Sequence, residues 1–113
     1  MIGVYPDRRT ILIDAGALAL SKDLGATHVH GKQRFGLICD LHQKPIAGVM
    51  LVGLSQEHGK IFCTEDFNGQ WPTVGDRLRV LPNHSCLVTA LHDPLYVCKD
   101  GIILEQWRPV RGW

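Results

Sequence analysis

His84 and Cys86 stand two residues apart in the segment Pro82-Asn83-His84-Ser85-Cys86. An imidazole nitrogen and a thiolate sulfur are the donors that zinc favours. The segment closes one alternating run, Asp76-Arg77-Leu78-Arg79-Val80-Leu81, and opens another, Leu87-Val88-Thr89-Ala90-Leu91, so it reads as extended chain. On extended chain, i and i+2 share a face. The pair is then a two-toothed chelate and half of a tetrahedral site. A buried cysteine beside a histidine bonded to a neighbouring carbonyl fits the same spacing, and by spacing alone it is the commoner arrangement. His28 and His30 form a second i, i+2 pair. They fall in a glycine-containing loop, where solvated histidines are the ordinary outcome. Glu57 and His58 set a carboxylate beside an imidazole in Ser55-Gln56-Glu57-His58-Gly59. Exposed turn polarity accounts for them, and so does a convergent polar site.

The elements that must hold these groups are strands. Thr10-Ile11-Leu12-Ile13-Asp14 is β-branched and apolar, and Ala15-Gly16 breaks it. Ala17 to Asp23 has helix formers but is too brief for a stable isolated helix, so it reads as one helical turn or irregular chain. Phe35 to Asp40 is a strand. Val49-Met50-Leu51-Val52-Gly53-Leu54 is apolar on both faces, which predicts a central strand. Residues 55–59 then join it to Lys60-Ile61-Phe62-Cys63 as a tight connection. Residues 64–73 are a polar loop. In the strand at 77–81, Leu78 and Val80 face one way and Arg77 and Arg79 the other. Asp100-Gly101 between Leu95-Tyr96-Val97-Cys98 and Ile102-Ile103-Leu104-Glu105-Gln106-Trp107 is a strong hairpin signal. Many short strands with almost no helical periodicity predict an all-β sandwich or barrel.

Composition sets the outer limits. The 113 residues suit one domain, 1–113, with a single core. An apolar share of 45% and a charged share of 20% are those of an ordinary globular protein. Twelve basic residues nearly balance eleven acidic ones without a polybasic run, so charge suggests neither nucleic acid nor an anionic membrane as a partner. No apolar window is long enough to span a bilayer. Residues 1–20 do not read as a signal peptide, because Asp14 interrupts the apolar stretch and Arg8 and Arg9 precede it. Cys39, Cys63 and Cys98 lie inside apolar runs, as buried free thiols do, which points to a reducing, cytoplasmic setting.

Several segments together carry a resemblance. They are Ile13-Asp14-Ala15-Gly16 with Ala19-Leu20-Ser21-Lys22-Asp23, then Leu54-Ser55-Gln56-Glu57-His58-Gly59, Gly75-Asp76-Arg77, Pro82-Asn83-His84-Ser85-Cys86-Leu87 and Val110-Arg111-Gly112-Trp113. In this order they resemble the C-terminal domain of D-serine dehydratase-like enzymes. Those enzymes belong with D-threonine aldolases to the alanine-racemase-like class of pyridoxal-phosphate enzymes. The resemblance implies a small β-barrel domain. It also implies that His84 and Cys86 match the family's zinc-ligand pair, next to the cofactor, where the metal assists loss of the substrate hydroxyl. The aldolase relatives carry Asp where this chain has Cys86. The thiolate therefore places the chain on the dehydratase side and favours zinc over harder ions.

Such enzymes also carry an N-terminal (β/α)₈ barrel whose lysine binds the cofactor, and a barrel of that type takes roughly 250 residues. This chain has no room for one, no lysine in the family's cofactor context and no Gly-rich phosphate cradle. Two functions are expected from this. The first is a zinc-binding C-terminal domain of a D-amino-acid dehydratase, incomplete as a catalyst unless a separate pyridoxal-phosphate barrel subunit is supplied. The second is a structural or oligomerisation module with a relic metal site. A small metal hydrolase is a third and weaker reading, since no nucleophile and base can be paired. The surface a large barrel would cover predicts self-association or a partner, with the three tryptophans as candidates for it.

Overall fold

The computed structural model of the chain describes residues 1–25 and 35–112. Strands dominate it. In order they are β1 (Gly3–Tyr5), β2 (Thr10–Ile13), β3 (Leu37–Cys39), β4 (Val49–Leu54), β5 (Gly59–Cys63), β6 (Arg79–Leu81), β7 (Leu95–Lys99) and β8 (Ile102–Trp107). Among the described residues two short α-helices interrupt them, α1 (Ala17–Leu20) and α2 (Ser85–Leu91), besides a 3₁₀ turn at Pro6–Arg8. Among the described residues no helix is long and apolar enough to cross a membrane. His28 and His30 lie outside the described residues.

The antiparallel ladders form three sheets: β1-β2-β5-β4, β3-β6 and β7-β8. The expectation of a strand-built fold holds, but these ladders do not close into one ring. β5 shows why the largest sheet forms. Gly59, Ile61 and Cys63 are buried while Lys60 and Phe62 are not, the two-residue alternation of a strand with one covered face. Register then sets Ile11 and Leu51 on either side of Ile61, a buried apolar row across three strands. Each such side chain, fully buried, contributes about 1.5–3 kcal/mol. Ile13, Leu54 and Cys63 extend that core, Ile38 joins it from β3, and Leu78 and Val80 pack against it. The alternation predicted for residues 77–80 is thus present, with Arg77 and Arg79 exposed.

Two strand expectations need correction. β4 is an edge of its sheet, and β2 and β5 hold the centre. Leu51 and Leu54 are buried in the core that Ile38 of β3 also joins, while Met50 and Val52 are only half-buried, so being apolar on both sides did not require two hydrogen-bonded neighbours. Residues 87–91 were expected to be extended, yet they are helical. Leu87 and Leu91 are one helical turn apart, and the last carbonyls of this helix find a donor. The Arg111 guanidinium bonds the carbonyl oxygens of Thr89 and His92. Such a donor satisfies carbonyls that a helix end leaves unpaired, and it comes from a part of the chain remote from local propensity.

The corner at Ala15-Gly16 ties the sheet to α1. The Ala17 and Leu18 amides donate to the carbonyls of Ser55 and Gln56. A Cβ on Gly16 would stand 2.5 Å from both the Gln56 carbonyl oxygen and the His58 nitrogen. Only glycine lets α1 sit so close to the 55–59 connection. α1 in turn packs against α2. The His92 imidazole Nε2 lies 2.8 Å from the Ala19 carbonyl oxygen and joins the two helices at their ends.

The β7-β8 hairpin has the turn its sequence predicts. Asp100 and Gly101 both adopt positive φ, 51° and 80°, as a two-residue turn of this hand requires. Every residue of β8 is exposed. Cys98, expected to be buried, is exposed for the same reason: the hairpin is not packed on the core.

Candidate metal centre

His84 is the residue before the first turn of α2. Its backbone is extended (φ −136°, ψ 106°), and its side chain makes no capping bond to the helix. The imidazole is therefore available for other partners. Cys86 is the second residue of α2 and is exposed. The two do not share a strand face, as i, i+2 spacing on extended chain predicts. The chain turns from extended to helical between them, so both donors stand at the start of α2.

The other side of the ring faces Asp23. His84 Nδ1 lies 2.6 Å from Asp23 Oδ2, with both side chains partly exposed. Asp23 is itself held by a compact turn after α1. Its backbone N–H donates to Ser21 Oγ at 2.9 Å, and its Oδ1 accepts the Gly25 N–H at 2.6 Å. That turn rests on the segment before α2. Asn83 Nδ2 donates to the Leu24 carbonyl at 3.2 Å, and a Cβ on Gly25 (φ +62°) would meet the Asn83 carbonyl oxygen at 2.9 Å. The electrostatics follow from these contacts. The Gly25 N–H, and then His84, hold the Asp23 carboxyl below its ordinary range. The bond to Asp23, and then the one to Cys86, push the His84 imidazole up.

Glu57 and His58 occupy the β4-β5 connection, where the Ser55 N–H and the His58 carbonyl bond each other. This connection holds the amino end of α1, whereas Asp23 and His84 meet beyond its carboxyl end. A hollow lies elsewhere again. It has a volume of about 680 Å³ and is walled by Ile11, Ile38, Ile61, Phe67, Trp71 and Leu78 among others. No residue of 79–92 lines it, so it belongs to the packing between sheets and not to the His84 site.

The donor set fits a borderline-soft divalent metal such as zinc. It offers one imidazole and one thiol, with the imidazole's second nitrogen already on a carboxylate. Among the described residues no group of three or more His, Cys, Asp and Glu converges as a full coordination shell. Among the described residues the candidate donors are therefore this pair, and Asp23 bonds the ring at Nδ1. Asp23 was not singled out in the sequence as a site residue. Its Ser21-x-Asp23-x-Gly25 spacing marks a carboxylate-closed turn, but nothing local shows that this turn meets His84.

The family described as "Putative serine dehydratase domain" matches residues 1–98. The chain is 33% identical over 120 residues to D-threo-3-hydroxyaspartate dehydratase of Delftia sp. (strain HT23), covering all of this chain and 31% of that protein. It is 33% identical over 121 residues to D-serine dehydratase of Dictyostelium discoideum, covering 29% of that protein. A cysteine-to-alanine mutant of D-threo-3-hydroxyaspartate dehydratase, in its metal-free form, superposes with a TM-score of 0.78 at 33% identity, over 99% of this chain and 31% of that one. An alanine-racemase-like protein from Idiomarina loihiensis also gives 0.78, at 32% identity, over 99% of this chain and 30% of that one. The chain spans about a third of the length of these relatives. It matches them in sequence and in fold along its whole length, and it belongs to the serine dehydratase domain family.

Proposed function

We propose that the chain is the metal-carrying domain of a dehydratase acting on D-hydroxy amino acids, with His84 and Cys86 as its zinc ligands. The observation that carries this reading is the placement of His84 and Cys86 at the start of α2, with the His84 Nδ1 held by Asp23 Oδ2 at 2.6 Å. The metal-free form of the Delftia dehydratase supports a metal in that relative. Cys86 would supply the sulfur donor and His84 the nitrogen donor, leaving other coordination positions to water or substrate. Zinc, when bound, supplies Lewis acidity towards a leaving hydroxyl. The proposed substrate class is a D-amino acid with a 3-hydroxyl, after the relatives' D-serine and D-threo-3-hydroxyaspartate.

Pyridoxal phosphate belongs to this reading only through a separate barrel carrying the Schiff-base lysine. Glu57 and His58 remain candidates for lining a site completed by such a barrel. The four free thiols suit a reducing, cytoplasmic setting. The test is zinc titration of the metal-stripped chain in competition with a chromophoric chelator. One equivalent should bind to the wild-type chain, and none of comparable affinity to His84→Ala or Cys86→Ala. Equal binding by all three would remove these residues from the site.

A second reading, an assembly module, is favoured by one observation. Tyr96, Ile102, Ile103, Leu104 and Trp107 are all more than half exposed on β7-β8. Exposed apolar surface of this extent on one hairpin is uncommon on stable monomers. The hairpin would serve as the contact with a second copy or with the barrel subunit. The two readings are compatible, because the hairpin and the His84 site use different residues.

A further inference from the structure

We infer that Asp23 is the positioning residue of the metal centre: it accepts the Nδ1–H hydrogen bond of His84 and leaves Nε2 as the ring's only donor for a metal. This rests on the proposed role of His84 and adds a residue to it. Neutral imidazole has two tautomers, and the partner of one nitrogen decides which nitrogen keeps the lone pair. A carboxylate can only accept. With Asp23 Oδ2 at 2.6 Å from Nδ1, that nitrogen must carry the hydrogen. Metal-ligating histidines commonly give their second ring N–H to such a carboxylate, which fixes both tautomer and ring orientation.

The placement of Asp23 is itself determined. Its Oδ1 is engaged by the Gly25 N–H, so Oδ2 is the oxygen turned to His84. The turn that carries it is braced against the residue next to His84 through Asn83 Nδ2 and the Leu24 carbonyl. Asp23 lies sixty-one residues from His84 in the chain, and this bracing removes the freedom that separation would leave.

Asp23→Asn separates a positioning role from a merely structural one. The amide oxygen can keep the Gly25 N–H, so the turn is retained. The amide nitrogen then faces Nδ1 and donates to it, which selects the Nε2–H tautomer. Long-range proton–nitrogen correlation spectra of the metal-free chain at alkaline pH should show Nδ1–H for His84 in the wild type and mainly Nε2–H in Asp23→Asn. Zinc affinity should fall about 10- to 100-fold in Asp23→Asn, the usual loss for such a partner. Asp23→Ala should show a mixture of tautomers and a loss of similar size. An Nε2–H ring in the wild type, or the same tautomer in all three chains, would overturn the inference. So would unchanged zinc affinity in both variants. If the wild type shows Nδ1–H yet binds no zinc, Asp23 still positions the ring, and it is the metal-ligand reading that fails.

Discussion

Asp23 Oδ2 and His84 Nδ1 lie 2.6 Å apart and join the turn after α1 to the start of α2. Four of the strands, β3 to β6, lie between them in the chain, so these two short segments meet only through the fold. Glycine is essential to that arrangement at one position. Gly16 lets α1 press on the 55–59 connection, and α1 carries Asp23 at its end. Gly16→Ala should therefore destabilise the chain by about 1–3 kcal/mol, the usual cost of forcing atoms into packed space. It should also weaken the Asp23–His84 contact, seen as a change in the His84 ring resonances. A urea midpoint and ring spectrum equal to the wild type would contradict this packing.

Cys63 provides a pH-dependent prediction. It is fully buried, and burial pushes its thiol up while Arg9 partly offsets that. A thiol that ionises at higher pH in the folded chain favours folding below the unfolded value of about 8.5, and that contribution is lost as pH rises beyond it. Stability measured in urea should fall from neutral to strongly alkaline pH, and fall less steeply in Cys63→Ala. In the native chain, Cys86 and Cys98 should react with a thiol reagent while Cys39 and Cys63 react only on unfolding. Equal reaction rates at all four would show that the core is not closed as described.

Much of the fold was legible in the sequence where one short stretch contains its own reason. The Asp100-Gly101 turn needs two positive φ values, and those residue types adopt them readily. β5 alternates because one of its faces is covered. The errors lie where the reason is distant. Residues 87–91 fit either strand or helix by pattern, and the Arg111 contacts at the helix end come from the tail. Cys98 has the apolar neighbours of a buried residue, but its hairpin stands off the core. At the site, His84 and Cys86 were legible as donor types. The geometry that joins them and the Asp23 contact were not, because both depend on how α1 and α2 pack.

The exposed hairpin predicts association. Light scattering of the chain at high micromolar concentration should give a dimer or larger species. Replacing Ile103 and Trp107 together by polar residues should shift it to monomer without changing the far-ultraviolet spectrum, since neither side chain is part of the core. A wild-type chain that stays monomeric at those concentrations would leave the hairpin without the proposed role in self-association.

The chain on its own should not turn over D-serine. With pyridoxal phosphate and zinc added, pyruvate formation should not exceed that of a cofactor-only control, because no lysine of this chain stands in the family's cofactor setting. Steady turnover above the control would assign the chain a complete active site.

Cobalt tests the central claim most directly, because a thiolate bound to Co(II) has a charge-transfer band of its own. Added to the metal-stripped chain, Co(II) should produce a near-ultraviolet sulfur-to-cobalt band that saturates at one equivalent and bleaches when zinc is added. Cys86→Ser should lose that band, and His84→Ala should bind cobalt far more weakly. If the wild-type chain shows no such band, or if Cys86→Ser retains it, His84 and Cys86 are not the metal pair and the account of this site is wrong.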